Sequence, residues 1–286
     1  MFPIYVMQKL GIDKKYNLDI ERKNTIDANA LYTMLRGKEV DIGFGGWTTA
    51  AEYRTKGSDM VAVYSMMKVM DDVMVKKDSP LKSFADLKGK RVGIFGGPAG
   101  STTMIFRVEV SKFFGFDIDK DATVQYGAPP MLMGLLDKGE LDAVLLLDPY
   151  VSKMLASGKY RSIGELGEIW QQKMGYPLVS INILTNDEFA NKNPQTVKNF
   201  VKAWKESLEY MKSHPELWPE MTKAIGMTSP EEINILRDRV DKSMFAQWDD
   251  ELIQQQMKFA EMAVQVGGKD VLPSIPKETF STKFVP

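Results

Sequence analysis

The sequence predicts an α/β fold, with a parallel or mixed sheet covered by helices, in two domains or one large one. Three observations carry this. Helical and strand patterns alternate through the first half of the chain, as in folds that cover a sheet with helices. A helix–turn–strand unit recurs about a hundred residues on: Leu35-Arg-Gly-Lys-Glu39-Val40-Asp41-Ile42 and Leu136-Asp-Lys-Gly-Glu140-Leu141-Asp142-Ala143. The length, 286 residues, corresponds to two domains at about 150 residues each. Chance similarity over eight residues is easy, but two lobes of similar design would leave the same echo.

Taken in order, Ile4 to Leu10 reads as a helix stopped by Gly11, and Leu18 to Glu21 alternates like a half-buried strand. Ala28 to Leu35 predicts a helix with Ala28, Leu31, Tyr32 and Leu35 on one face and Gly37 as its stop. Val40 to Gly45 is a strand that runs into Gly46-Trp47-Thr48-Thr49 and a further helix. Met60 to Tyr64 and Val73 to Val75 are strands, and Arg91 to Phe95 leads through a glycine-rich turn into a helix near Ser101. The last hundred residues are mostly helical. Asn193 caps a helix with Pro194 at its first position, and Val197, Phe200, Val201, Trp204, Leu208 and Met211 form its apolar stripe. Ser229-Pro-Glu-Glu232 is a capping-box signature. Asp249 to Val266 is a last amphipathic helix closed by Gly267-Gly268, ahead of an irregular tail marked by Pro273, Pro276 and Pro286.

Composition excludes several chemistries. There is no cysteine and one histidine, His214. Thiol nucleophiles, disulfides and cysteine-based zinc or iron–sulfur sites are therefore ruled out, and any histidine-dependent triad would rest on His214 alone. With 37 Lys+Arg against 38 Asp+Glu, the charge balance argues against an extended basic surface for nucleic acid. The N-terminus lacks the basic flank and apolar core of a signal peptide, and the longest apolar run, Ala143 to Leu147, is far short of the roughly 20 residues that span a bilayer.

Ligands of open α/β sheets sit beyond the carboxyl ends of strands, which singles out three stretches. Gly45-Gly46-Trp47-Thr48-Thr49 offers close backbone approach, a stacking face and two hydroxyls; the competing reading is a tight turn with a core tryptophan. Gly96 to Thr103, with Gly97 and Gly100 before Ser101 and Thr102, opens a helix whose free N–H groups can bind an anion; ordinary capping by Ser101 is the competitor. Asp148-Pro149-Tyr150 is a third candidate, or a strand-ending turn. Met66 and Met67 follow the strand at its ligand-facing end, while most other methionines fill apolar faces. The glycine-rich turn is neither GxGxxG nor a P-loop. Asp249-Asp250 reads as a helix start, Asp71-Asp72 as lying near a chain crossing, and His214 as a surface residue.

Four stretches, in their order and spacing, carry a resemblance: Phe2-Pro-Ile-Tyr-Val6, Val40-Asp-Ile-Gly43, Asp78 to Gly93, and Gly139-Glu-Leu-Asp-Ala143 leading to Asp148-Pro149. The chain resembles the solute-binding proteins of ABC importers for nitrate, sulfonates, taurine and related compounds, a group that includes thiamine-pyrimidine binders. The resemblance implies the type II periplasmic binding fold, two α/β lobes around a central cleft. Lobe one would be residues 1–80 plus 180–286 and lobe two 81–179, with crossings near Val73 to Ser79 and Val179 to Thr185. Such proteins begin with a strand before the Phe-Pro-Ile-Tyr helix, so a first strand is expected to be missing, leaving an open sheet slot.

The mechanism so implied is solute capture by hinge closure, then docking on a membrane permease. The helix start at Ser101 would hold an anionic or polar group, facing Trp47, Thr48 and Thr49 on the other lobe. Asp148 and Tyr150 would read a donor or amine. Trp47, Met66, Met67 and Tyr126 point to a small organic or aromatic solute such as a sulfonate or heterocycle. The protein would be a monomer without cofactor or metal, in the periplasm or outside the cell at the membrane. The rival readings are a ligand-sensing domain of the same fold and a related pyrimidine synthase, whose active-site histidine and cysteine-rich iron motif this sequence does not match.

Overall fold

Short apolar runs, most of them bounded by glycine or aspartate, form eight strands among the described residues, and these sort into two sheets. The computed structural model describes residues 2–23, 28–98, 100–267 and 274–286. The chain enters through α1 (Phe2–Lys9), α2 (Ile12–Lys15) and α3 (Ala28–Arg36), then β1 (Ile42–Gly45), α4 (Trp47–Thr55) and β2 (Met60–Lys68). There follow β3 (Asp72–Lys76), β4 (Arg91–Phe95), α5 (Ser101–Phe114), α6 (Ile118–Asp121), β5 (Thr123–Gly127) and α7 (Pro129–Lys138). Next come β6 (Ala143–Leu146), α8 (Tyr150–Ala156), β7 (Tyr160–Glu165), α9 (Leu166–Met174) and β8 (Val179–Asn186). The helical remainder is α10 (Asp187–Lys192), α11 (Pro194–Ser213), α12 (Trp218–Met221), α13 (Pro230–Ser243) and α14 (Asp250–Gly267).

One sheet has the order β1-β8-β2, both outer strands antiparallel to β8. The other has the order β5-β4-β6-β3-β7, in which β4 runs parallel to β5 and β6 while β3 runs antiparallel to β6 and β7. Each sheet with its helices makes one lobe. The chain changes sheets at residues 69–71, ahead of the expected Val73 to Ser79. The reason is pairing: Val73 and Val75 sit in β3, hydrogen-bonded into the five-stranded sheet, so residues 72–76 belong to the second lobe.

The internal echo has a structural basis. At the end of α3, Lys38 N–H donates to Leu35 O (3.0 Å) and Glu39 N–H to Met34 O (2.9 Å). After α7, Gly139 N–H donates to Leu136 O (3.1 Å) and Glu140 N–H to Leu135 O (2.9 Å). These are the same pair of C-terminal capping bonds, each turning on a left-handed residue, Lys38 at φ 58° and Gly139 at φ 73°. One unit feeds β1 and the other β6, so the two lie in different lobes.

Three local expectations change. Leu18 to Glu21 is not a strand: residues 18–23 carry no ladder, and Ile20 O is taken by Gln8 Nε2 (2.9 Å). Alternation supplies an extended, half-buried run, but a strand needs a neighbour to pair with. Ser229 precedes α13 without a side-chain cap, so the capping box does not form. Asn193 leaves α11 uncapped because its amide turns back to Phe189 O (3.1 Å), closing α10 instead. Asp249 does cap α14, accepting from Leu252 N–H (2.8 Å). Ala99, Gly268 and Pro273 lie outside the described residues.

The C-terminal helices straddle the lobes. Residues 244–247 are fastened to β2 through Phe245 N–H to Met66 O (3.1 Å), Tyr64 Oη–H to Ala246 O (2.7 Å) and Ser65 Oγ–H to Gln247 O (2.5 Å). Yet α13 packs on α8, and α14 on α5, both in the second lobe.

Candidate functional site

Two helices begin at the line where the lobes meet. β1 ends in Gly45, and α4 starts at Trp47 with Gly46 as its N-cap; α5 starts at Ser101 with Gly100 as its N-cap. Glycine has no side chain to satisfy the first-turn N–H groups, so neither helix has a side-chain cap. The two starts touch: Thr48 Oγ1 and Ser101 Oγ are 3.1 Å apart, one hydroxyl from each lobe. Gly46 N–H donates to Tyr32 Oη (2.8 Å), and burial holds that phenol above its usual pKa.

Below this contact is a cavity of about 40 Å³, room for about three water molecules. Thr48, Thr49, Ser101 and Ser180 supply hydroxyls, while Met104, Ile105, Leu178, Val179, Phe259 and Trp47 supply apolar walls. Glu52 is the one charged lining residue among the described residues, and its carboxylate is paired with Lys56 Nζ at 2.6 Å. Among the described residues, two positive helix ends and four hydroxyls set the electrostatic character at the cavity, with no lining guanidinium or ammonium.

Of the residues singled out from sequence, Trp47, Thr48, Thr49 and Ser101 come together here. Trp47 serves mostly as core, 1% exposed, with its ring 5.3 Å from Phe280 and 6.2 Å from Phe259. The others are not among the lining residues. Met66 is buried in β2, its carbonyl engaged by Phe245, and Met67 bridges Met244. Gly97 O accepts from Thr103 Oγ1 (2.8 Å) and Gly100 N–H (3.0 Å), so these glycines shape the turn before α5. Thr102 points the other way along its helix and donates to Asp71 Oδ2 (2.8 Å). Tyr126 Oη is held by Arg107 Nη2 (3.0 Å) and Asp119 Oδ1 (3.2 Å) on the flank of the second lobe. Tyr150 is half-buried against the second lobe's own small core, which includes Leu132 and Val151. Asp148 is fully engaged, with Oδ1 accepting from Ser152 N–H (3.0 Å) and Oγ–H (2.5 Å) and Oδ2 from Arg239 Nε–H (2.7 Å).

Sequence reasoning missed Glu52, Met104, Ile105, Leu178, Val179, Ser180 and Phe259. Helical spacing could have found two: Glu52 stands four residues after Thr48 and Ile105 four after Ser101, on the same helix faces. Ser180 and Phe259 had no local signal. His214 lies at the end of α11, its ring stacked on Tyr210 at 3.6 Å and its Nδ1 2.8 Å from Tyr210 O.

The profile of the NMT1/THI5-like family matches residues 1–217, and the chain belongs to that family. It is 28% identical over 236 residues to a 4-amino-5-hydroxymethyl-2-methylpyrimidine phosphate synthase from Candida albicans. That match covers 76% of this chain and 66% of the relative, so the chain spans just under two thirds of the relative's length. In structure it resembles the periplasmic aliphatic sulphonate-binding protein SsuA from Escherichia coli, with a TM-score of 0.80 at 18% identity over 96% of this chain and 91% of that one. The alkanesulfonate-binding SsuA from Xanthomonas axonopodis, bound to MOPS, gives 0.75 at 16% identity over 100% and 94%. The fold is that of type II periplasmic binding proteins.

Proposed function

We propose that this member of the NMT1/THI5-like family is the solute-capturing component of an ABC importer, closing its two lobes on a small organic compound. The observation that carries the reading is the Thr48–Ser101 contact at 3.1 Å, which joins two uncapped helix starts across the lobes and over a cavity. A polar or singly charged head group would accept from the first-turn N–H groups and hydroxyls of both helices. Its organic part would lie against Met104, Ile105, Phe259 and the edge of Trp47. A solute exceeds the present cavity, so binding requires the lobes to part and reclose about residues 69–71 and the segment before β8. The closed form would dock on a membrane permease as a monomer, in the periplasm or at the outer face of the membrane. Among the described residues no helix is long and apolar enough to cross a membrane. The names of the sulfonate-binding neighbours support this reading.

The name of the Candida relative favours an enzymatic alternative. The residues present do not fit the cysteine-rich iron motif that alternative implies: the chain has no cysteine, and His214 is stacked on Tyr210 rather than placed at the cavity. A thermal-shift series with ethanesulfonate, benzoate and an aminopyrimidine tests the choice. At a hundredfold excess over Kd a true ligand adds about 2.7 kcal/mol, a rise in Tm of about 4–5 °C for a chain of this size. Thr48→Val with Ser101→Ala should abolish that rise while leaving the unliganded Tm nearly unchanged. No rise with any of the three probes counts against capture of those classes. Chemical conversion of the recovered probe, read by mass spectrometry, would favour the enzyme.

A further inference from the structure

Arg239 lies on α13, a helix fastened to the first lobe at its downstream end and packed on the second lobe along its length. Residues 244–247 tie its downstream end to β2, and upstream α12 carries Trp218, whose ring lies 5.0 Å from Phe2 of α1. Between these anchors α13 faces α8. The Arg239 side chain is 12% exposed, and among the described residues its hydrogen bonds and ion pairs all go to the second lobe or the crossing. Nε donates to Asp148 Oδ2 (2.7 Å), before α8. Nη2 lies 2.6 Å from Asp72 Oδ2 at the start of β3, an ion contact without hydrogen-bond alignment. Nη2 also donates to Met70 O (2.6 Å), and Nη1 stands 3.5 Å from Glu165 Oε2 at the end of β7.

The crossing beneath this guanidinium is tightly held. Leu166 N–H donates to Asp71 O (2.9 Å) and Val69 N–H to Leu178 O (2.9 Å). A Cβ at Gly167 would stand 2.0 Å from Val69 O, so only glycine lets α9 approach this closely. Asp71 accepts from Thr102 Oγ1 (2.8 Å), and the neighbouring Ser101 is the residue that meets Thr48 across the cleft. Contacts therefore run without a break from Arg239 to the two helix starts.

We propose that Arg239 is a positioning residue: it clamps Asp72, Asp148 and Glu165 of the second lobe to a helix anchored on the first, and so sets the closed separation of the α4 and α5 starts. The consequence for solute affinity rests on the capture reading; the clamp itself does not.

The charges around it give the clamp a pH dependence. Asp71 and Asp72 from the crossing and β3, Asp148 from the turn before α8, Glu165 from β7 and Glu168 from α9 all bear on the one guanidinium or its partners. Burial pushes Asp71 up to about 7 and Glu165 up to about 8, with neighbouring carboxylates adding to the rise. Both folded values exceed the unfolded ones, so their contribution is present at acid pH and is lost as pH rises through about 7 and 8. Above that range ionised carboxylates outnumber the guanidinium and repel one another.

The absence of native cysteine allows paired nitroxide labels at Lys202→Cys on α11 and Lys138→Cys on α7, both exposed, with electron-electron distance measurement at pH 6. The wild-type background should give one narrow distance. Arg239→Met should lower the closed-to-open ratio at least about tenfold, and Arg239→Lys should restore part of it. A folded Arg239→Met protein with the wild-type distribution would overturn the clamp. Should Arg239→Met not fold, the wild-type background titrated from pH 6 to 9 decides: a move toward longer distance that Glu165→Gln suppresses supports the clamp, and an unmoved distribution overturns it. Opening by Arg239→Met in a protein that captures none of the three probes would leave the clamp standing and count against the capture reading alone.

Discussion

Replacing Glu109 by methionine should stabilise the protein. Glu109 stands on α5 four residues from Ile105, which lines the cavity, and four from Phe113, whose ring lies 5.7 Å from Trp170. It is fully buried, and neither carboxyl oxygen has a hydrogen-bond partner. Burial alone holds its pKa well above the usual carboxylate range, so the group stays neutral over a wide span of pH. A buried polar group left unpaired costs about 1–3 kcal/mol. Methionine has similar reach and a soft sulfur suited to aromatic neighbours, so Glu109→Met should recover most of that, raising Tm by about 2–5 °C. The gain should depend on pH. The raised folded pKa means that Glu109 is tolerated best below its unfolded value and costs more as pH rises toward the folded one. Urea unfolding at pH 5 and pH 8 should therefore show the larger advantage of the variant at pH 8. Destabilisation at both values would show that the carboxyl has a partner, and the account of Glu109 as unpaired would fail.

Three further substitutions introduce or remove a glycine, each read from urea midpoints. At the repeated helix ends, Gly139→Ala meets no atom within 4 Å but adopts φ 73°, so backbone strain alone should cost about 1 kcal/mol. Lys38→Gly at the equivalent position should be neutral or gain up to ~1 kcal/mol, because its exposed pair with Glu188 contributes little. At the crossing, Gly167→Ala would drive a methyl into Val69 O and should cost about 1–3 kcal/mol; an unchanged midpoint would mean that α9 does not press on the crossing.

The parts of the fold that were legible in sequence are those controlled within a few residues. The alternation of apolar runs and the stripe from Val197 to Met211 follow periods of two and 3.6 residues. They gave β4 its bounds outright and the core face of α11, where Val197, Val201, Trp204 and Met211 are wholly buried. Thr48 and Ser101 were found because a glycine-ended strand followed by hydroxyl residues marks a helix start wherever it occurs. Leu18 to Glu21 shows the limit of the same logic: its pattern was right for a strand, but pairing belongs to two segments and not one.

By itself, then, the sequence determined the alternating elements, the two equivalent helix–turn–strand units, and the two glycine-capped helix starts, because dihedral preference and side-chain period are local properties. Tertiary structure alone decided which of the candidate side chains share a space. Asp148 and Thr102 sit in promising motifs, yet packing of α13 and the crossing turns them to Arg239 and Asp71, while Ser180 and Phe259 reach the cavity from distant segments. A buried carboxylate keeps its charge at low cost only beside a counter-charge, and the guanidinium that meets Asp148 lies 91 residues away, a distance over which only the packing of α13 against α8 makes the introduction.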